Sequence, residues 1–306
     1  MSILDATNER GSPIEGGADT AQHWPANYEP GQRFGSGQGW AVAGVLALLV
    51  LVGLGFRVSH LGASGFAEDE VNKVEAVQAY GRGDITANAE HPMLMKALMF
   101  ISITRAGQGG GPDMLIDEFA LRLPNAIFGA LTVIPLFLLT AAFFDRWTGL
   151  VAAALWAGGI NAITYNRIGK EDTLLVFFML FGFYFYLRAK RADTRKVALV
   201  RRNYLFSAIS FGLMLASKYF PDHFGLNALY YHQFRVRKRE PGEPAGKAPR
   251  LFYLVILLAF LIANPPVLMP QVSRLTPLPT GGEGLGLGWS APTTSPLTPL
   301  RLRRGG

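Results

Sequence analysis

The chain has 306 residues, half of them hydrophobic and only 17% charged, with no cysteine and a formal net charge of +7. Soluble domains carry roughly a quarter charged residues, so a large water-soluble core is disfavoured, and disulfides, thiolate metal sites and cysteine nucleophiles are excluded. The basic residues stand in short blocks beside apolar runs, with no interleaved aromatic patch, which argues for a membrane protein and against a nucleic-acid partner.

Residues 1–38 are rich in glycine, proline and polar residues and read as a disordered tail. A helix needs about 20 apolar residues to cross a bilayer core. Runs that approach this length lie at 40–57, 120–142, 149–165, 173–187, 204–217, 219–234 and 251–269. The expected fold class is therefore all-α: a polytopic membrane protein with about seven transmembrane helices, occupying residues 39–270. The first run follows a long tail with no basic start, so it reads as a span and not as a cleaved signal peptide.

Charge sets the orientation. Residues 188–202 hold seven basic residues and one acid, and residues 235–250 hold six basic and two acidic. Short cytoplasmic loops concentrate Lys and Arg. With a cytoplasmic N-terminus and alternating spans, both blocks and the turn at 145–147 fall inside. The loop 58–119, with nine acids and four bases over residues 58–118, falls outside with the turn at 166–172 and the end of the fifth run near 218.

That outer loop opens with "FAEDEVNK". Glu68, Asp69 and Glu70 suit the start of a helix, whose N-terminus favours negative charge. Val71, Val74 and Val77 recur every third residue among polar neighbours, which predicts an amphipathic helix on the membrane surface. Asp69 would sit in its first turn at the lipid–water boundary, where a raised pKa would suit a general base. In "AEHPMLMKAL", Pro92 suits the first turn of a second interfacial helix. Glu90 and His91 precede it, and Lys96 lies one turn on, able to snorkel to the headgroups.

The turn "YNRIGKED" offers Arg167 and Lys170 as phosphate donors, with Asp172 to fix their geometry. Lys218 stands at the outer end of the fifth run. Acids suited to proton abstraction and bases suited to phosphate thus face one compartment at the membrane surface. A substrate with a lipid tail, a phosphate and a reactive group fits that combination.

The ordered set "AEDE", "EHPMLMK", "LRLPNAIFGALTVIPLF", "RIGKEDTLLVFF" and "GLMLASKY" resembles the N-terminal part of the membrane-integral GT-C glycosyltransferases of the protein O-mannosyltransferase type, glycosyltransferase family 39. The resemblance covers residues 40–270, with Met93 where the family motif has its second proline. It implies an inverting transferase that takes a sugar from a polyprenyl-phosphate donor to an acceptor hydroxyl of a protein or glycan. Asp69 of the Asp69–Glu70 pair would be the base. Glu90, His91, Lys96, Arg167, Lys170, Asp172 and Lys218 would bind substrate. The lipid-phosphate-linked sugar is the donor substrate, and no cofactor is fixed by the motifs; Glu70 with Asp69 could hold a divalent cation, but no complete metal-ligand set is present. The implied place is a bacterial inner membrane with the site facing the periplasm, among membrane lipids.

Two other readings compete. A transporter would carry ionisable residues near the midplane of its spans, whereas the polar clusters here sit at span ends. A truncated, non-catalytic remnant of the enzyme is the closer rival. The family's later spans do not follow, and residues 271–306 read as an unstructured tail, with "LTPLPTGGEGLG" resembling a translated intergenic repeat.

Overall fold

The computed structural model describes residues 36–108, 116–192, 196–219 and 250–269. Residues 1–35 of the expected tail, 220–234 of the sixth apolar run and the tail 271–306 lie outside the described residues. The fold is all-α. In chain order the helices are α1 (Ser36–Val58), α2 (Glu68–Gly81), α3 (Met93–Arg105), α4 (Glu118–Leu131), α5 (Val133–Phe143), α6 (Arg146–Gly158), α7 (Ile160–Asn166), α8 (Asp172–Arg191), α9 (Val197–Ser217) and α10 (Arg250–Ala263), followed by a 3-10 turn at Pro265–Leu268.

Among the described residues three helical stretches are long and apolar enough to cross a membrane: Gly39–Val58, Glu118–Phe143 and Asp172–Arg191. The pair α6–α7, bent by 56°, makes a fourth if it counts as one broken span. The expected seven are not all tested, since the sixth run lies largely outside the described residues. α9 has 21 residues but carries Arg201, Arg202 and Asn203 in its first half, and α10 has only 14 residues. The assignment of an integral, all-α membrane protein stands on these three, or four with the bent pair.

Each irregularity in the spans has a local cause. Pro124 inside α4 cannot donate to the carbonyl of Ala120. Ser102 of α3 donates its hydroxyl to that carbonyl at 2.7 Å, so the freed group is satisfied inside the protein, as a lipid environment requires. The junction between α4 and α5 at Thr132 lies just before Pro135, which removes the next such bond. α6 starts on Asp145, whose carboxylate accepts from the N–H groups of Trp147 and Thr148. It ends at Gly158, and the carbonyls of Trp156 and Ala157 accept from the Arg57 guanidinium at 3.1 and 3.2 Å.

Three hydrophobic clusters hold the helices together. Val133, Phe137, Ala153 and Ala157 join α5 to α6, with α1 packed alongside. Ala189, Tyr204, Ala208, Phe211, Met214 and Phe252 join α8, α9 and α10. Val74, Val77, Met95, Met99, Ile103, Leu121 and Leu174 join the interfacial pair α2–α3 to α4 and α8.

The expected helix over the acidic segment is present, but its buried stripe differs from the valine repeat. Val74 and Val77 are buried together with Glu70, Lys73, Ala76 and Tyr80, whereas Val71 is 43% exposed. A helix buries positions three and four apart, and 70, 73, 74 and 77 satisfy that better than 71, 74 and 77. α2 therefore packs into the protein through a partly charged face, which a search for apolar residues alone does not find.

Candidate active site

α2 is fixed by its own third helical residue. Ala67 precedes the helix and has no side chain able to cap it. Glu70 reaches back instead, its Oε2 accepting from the Ala67 N–H at 2.8 Å. The same carboxylate accepts from Arg122 of α4 through Nε at 2.8 Å and Nη2 at 2.6 Å. Its Oε1 also accepts from the Gly169 N–H at 2.7 Å. Gly169 can come so close because it lacks a Cβ, which would meet the Met99 Cε at 3.0 Å and this Oε1 at 3.2 Å. Arg122 spends its remaining donors on the carbonyls of Leu61, Ser64 and Gly65. One buried ion pair thus ties α2, α4, the loop before α2 and the turn after α7.

This geometry separates the two acids expected to act together. Glu70 is fully buried, and both its oxygens are engaged by Arg122 and two backbone amides. It has no lone pair directed at a shared cation with Asp69, so the residues present do not fit a divalent ion bound by that pair. Among the described residues no group of three or more His, Cys, Asp or Glu could hold a metal.

Asp69, one residue earlier, points outward and is 58% exposed at its side chain, where Lys170 pairs with it. The Lys170 hydrogen bond and charge hold the Asp69 carboxyl below the usual carboxylate range. The raised value expected from a position at the lipid boundary is therefore corrected: Asp69 meets a cation in an open setting, not a desolvated one. It is ionised at neutral pH, held as a carboxylate by Lys170.

The turn after α7 grips α2 residue by residue. Gly169 contacts Glu70, Lys170 pairs with Asp69, and Glu171 faces Lys73 with the ions 3.1 Å apart in a buried pair. Oε1 of Glu171 also lies 4.0 Å from the Nδ1 of the half-exposed His91. Next along, Asp172 accepts from Lys218 at the end of α9, 2.5 Å away. Asp69, His91, Lys170, Asp172 and Lys218 thus stand in neighbouring contacts along this turn, together with Lys73 and Glu171, which were not among the expected site residues.

Three expected substrate contacts are placed differently. Lys96 is buried and does not snorkel: its ammonium donates to the backbone carbonyls of Asn88 and His91 and to the Asn88 Oδ1 at 3.2 Å. Burial lowers its pKa to about 8. All three of its protons are used in holding the loop that carries His91. Glu90 accepts from the Asn88 side chain at 2.6 Å and is exposed. Arg167 donates to the carbonyls of Phe56 and His60 at the end of α1.

Beside the charged face runs a groove of about 890 Å³ between α5, α6, α7 and α8. Leu136, Ala152, Leu155, Trp156, Ile160 and Val176 make its walls apolar. Asn166, Lys170, Asp172 and Thr173 line its polar end. Lys170 therefore belongs to both features, touching Asp69 on one side and the groove on the other.

A family model described as dolichyl-phosphate-mannose-protein mannosyltransferase matches residues 114–269, half of the chain. No curated protein matches the sequence significantly. Among solved structures the chain is similar to the S. cerevisiae protein O-mannosyltransferase Pmt1-Pmt2 complex bound to the sugar donor, with a TM-score of 0.52 and 21% identity. That alignment covers 73% of this chain and 31% of the yeast chain, so the chain spans about a third of the relative's length. At this identity the likeness concerns the fold.

Proposed function

Because the chain belongs to the dolichyl-phosphate-mannose-protein mannosyltransferase family, we propose that it is a GT-C glycosyltransferase moving a sugar from a polyprenyl-phosphate donor to an acceptor hydroxyl. The observation that carries this reading is the double position of Lys170, between an ionised carboxylate and the polar end of an apolar groove. A lipid-linked donor needs just such a site: apolar walls for the prenyl chain and a cation where the phosphate begins.

In the proposed reaction Asp69 accepts the proton of the acceptor hydroxyl. The hydroxyl oxygen attacks the anomeric carbon and forms the new C–O bond. The bond from that carbon to the phosphate oxygen breaks, and the phosphate leaves with the electron pair, so the anomeric centre is inverted. Negative charge grows on the phosphate as the bond breaks. Lys170 pairs with Asp69 and also lines the groove, and a preorganised cation stabilises such charge more in the transition state than in the ground state. In the resting arrangement Lys170 pairs with Asp69; donor phosphate would compete for it and release Asp69 toward the acceptor. Lys218 pairs with Asp172 of the groove, and His91 lies beside Glu171, next to it in the chain. Glu70, Arg122 and Lys96 act as positioning residues.

The proposed orientation puts this face outside a bacterial inner membrane, where acceptors are proteins or glycans. The full chain, purified in detergent and given a polyprenyl-phosphate sugar labelled in the sugar, tests the reading directly. Label should leave the lipid, and Asp69→Asn should abolish its release while leaving expression and the thermal midpoint unchanged. Full turnover by Asp69→Asn would sink the base assignment, and no turnover by the wild-type chain would sink activity of this chain.

A further inference from the structure

Arg57 closes α1 fully buried, and among the described residues it meets only neutral acceptors. Its Nη1 and Nη2 satisfy the carbonyls of Gly53, Trp156 and Ala157. That accounts for its structural task at the break between α6 and α7. Its Nε goes elsewhere, to the Oδ1 of Asn166 at 3.0 Å.

A guanidinium can only donate, so the Asn166 amide is fixed with its oxygen toward Arg57. Its Nδ2 then faces Thr173 and donates to Oγ1 at 3.0 Å. Asn125 is fixed in the same manner: its two Nδ2 protons go to the carbonyls of Ile168 and Lys170, with the same Oγ1 a longer 3.4 Å away. The Thr173 oxygen thus accepts from Asn166. A hydroxyl has two lone pairs and one proton, and its proton is still to be placed. Among the described residues it is donated to nothing. Thr173, Asn166 and Lys170 all line the polar end of the groove.

We propose that Thr173 is a binding residue that donates its hydroxyl proton to the phosphate of the groove ligand, with Arg57 and Asn166 as positioning residues that orient and polarise it. The inference deepens the donor reading above and rests on it. Each link donates toward the next, from a buried cation to the groove, and in a low-dielectric interior such chains strengthen their last donor. The relay brings part of the Arg57 charge to the ligand without exposing the guanidinium. It also gives the phosphate a directional contact that mobile lysines do not.

The test is ligand binding by the purified full chain, read by quenching of tryptophan emission, since Trp156 lines the groove. Undecaprenyl phosphate, undecaprenol and inorganic phosphate are the probes. Thr173→Val keeps the shape and removes the hydroxyl; Thr173→Ala serves if the valine variant does not fold, and Thr173→Ser restores the hydroxyl. We expect the valine variant to bind undecaprenyl phosphate about tenfold or more weakly, the scale of one hydrogen bond to a charged group. Undecaprenol should bind it as it binds the wild type, and the serine variant should behave as wild type. Inorganic phosphate should bind weakly if the groove holds a lipid phosphate; binding as tight as that of the lipid would assign a free phosphate to the same donor. Unchanged affinity of the valine variant for undecaprenyl phosphate, or equal loss of the phosphate and the alcohol, overturns the role of Thr173 alone. A wild-type chain that binds neither lipid overturns the donor reading with it.

Discussion

Glu70 and Arg122, 52 residues apart, form a two-point ion pair with side chains 0% and 5% exposed. Burial alone would push the Glu70 carboxyl up, but the Arg122 hydrogen bond and the amides of Ala67 and Gly169 outweigh it and hold the value below the usual range. Its neighbour Asp69 is the exposed acid, so two adjacent carboxylates divide between the buried framework and an open face where Lys170 pairs with one of them.

Glu70→Gln tests that division. Removing one partner of a buried pair leaves the other charge uncompensated and costs about 3–5 kcal/mol. The variant should show a clearly lower thermal midpoint in detergent, whereas Asp69→Asn should not. The pH dependence follows from the sign. A carboxyl whose folded pKa lies below its unfolded value stabilises the fold above the unfolded pKa, and that stability is lost as pH falls through the folded pKa. Wild-type thermal midpoints should therefore fall below about pH 4, the ordinary carboxylate range, and Glu70→Gln should lose part of that dependence. An unchanged midpoint in the variant at neutral pH would remove Glu70 from the framework.

Lys170 makes a second, kinetic prediction. It holds the Asp69 carboxyl low, and Lys73 and His91 add smaller contributions of the same sign. In Lys170→Gln the carboxyl rises toward its ordinary value, so a larger fraction is protonated at mildly acid pH and cannot accept a proton. The acid limb of kcat/KM should move to higher pH, with a lower plateau because the phosphate loses its nearest cation. An acid limb that stays in place would mean that Asp69 is not the group titrating in it.

The charged face was legible in the sequence because its residues stand in short clusters at span ends: Asp69, His91, Lys170, Asp172 and Lys218 each lie beside an apolar run. The framework was not, because its cations Arg57 and Arg122 are single charges at the end of or inside apolar segments. Arg57 closes the run 40–57 and Arg122 stands near the start of the run 120–142, and an ionisable residue within a span needs a partner. Asking for that partner would have led from Arg122 to Glu70. Lys73 and Glu171 were hidden for the opposite reason, since each stands close to other charged residues, and charge alone does not say which of them turns inward. Lys96 shows the limit of position alone: one turn into an interfacial helix it had the reach to snorkel, but the carbonyls of Asn88 and His91 stood closer. The groove is a property of the bend at Gly159, which hydropathy reads as one continuous run.

Close helix packing gives the third prediction. A Cβ on Gly212 of α9 would lie 2.5 Å from the Ala259 Cβ and 2.6 Å from the Ile256 carbonyl oxygen in α10. These belong to a helix backbone and its shortest side chain, so no rotamer change relieves the clash; α10 must shift as a body. Gly212→Ala should cost about 1–3 kcal/mol by overpacking and loosen α10 from the bundle. Gly44 and Gly55 of α1 supply the contrast, since nothing lies within 4 Å of a Cβ there. At those positions alanine only restricts the unfolded chain and favours the helix, by about 0.5–1 kcal/mol. Thermal midpoints of the three single variants in one detergent should therefore move in opposite directions, down for Gly212→Ala and slightly up for the other two. If all three move alike, the α9–α10 contact does not limit stability, and the small-residue packing there is not a constraint on the fold.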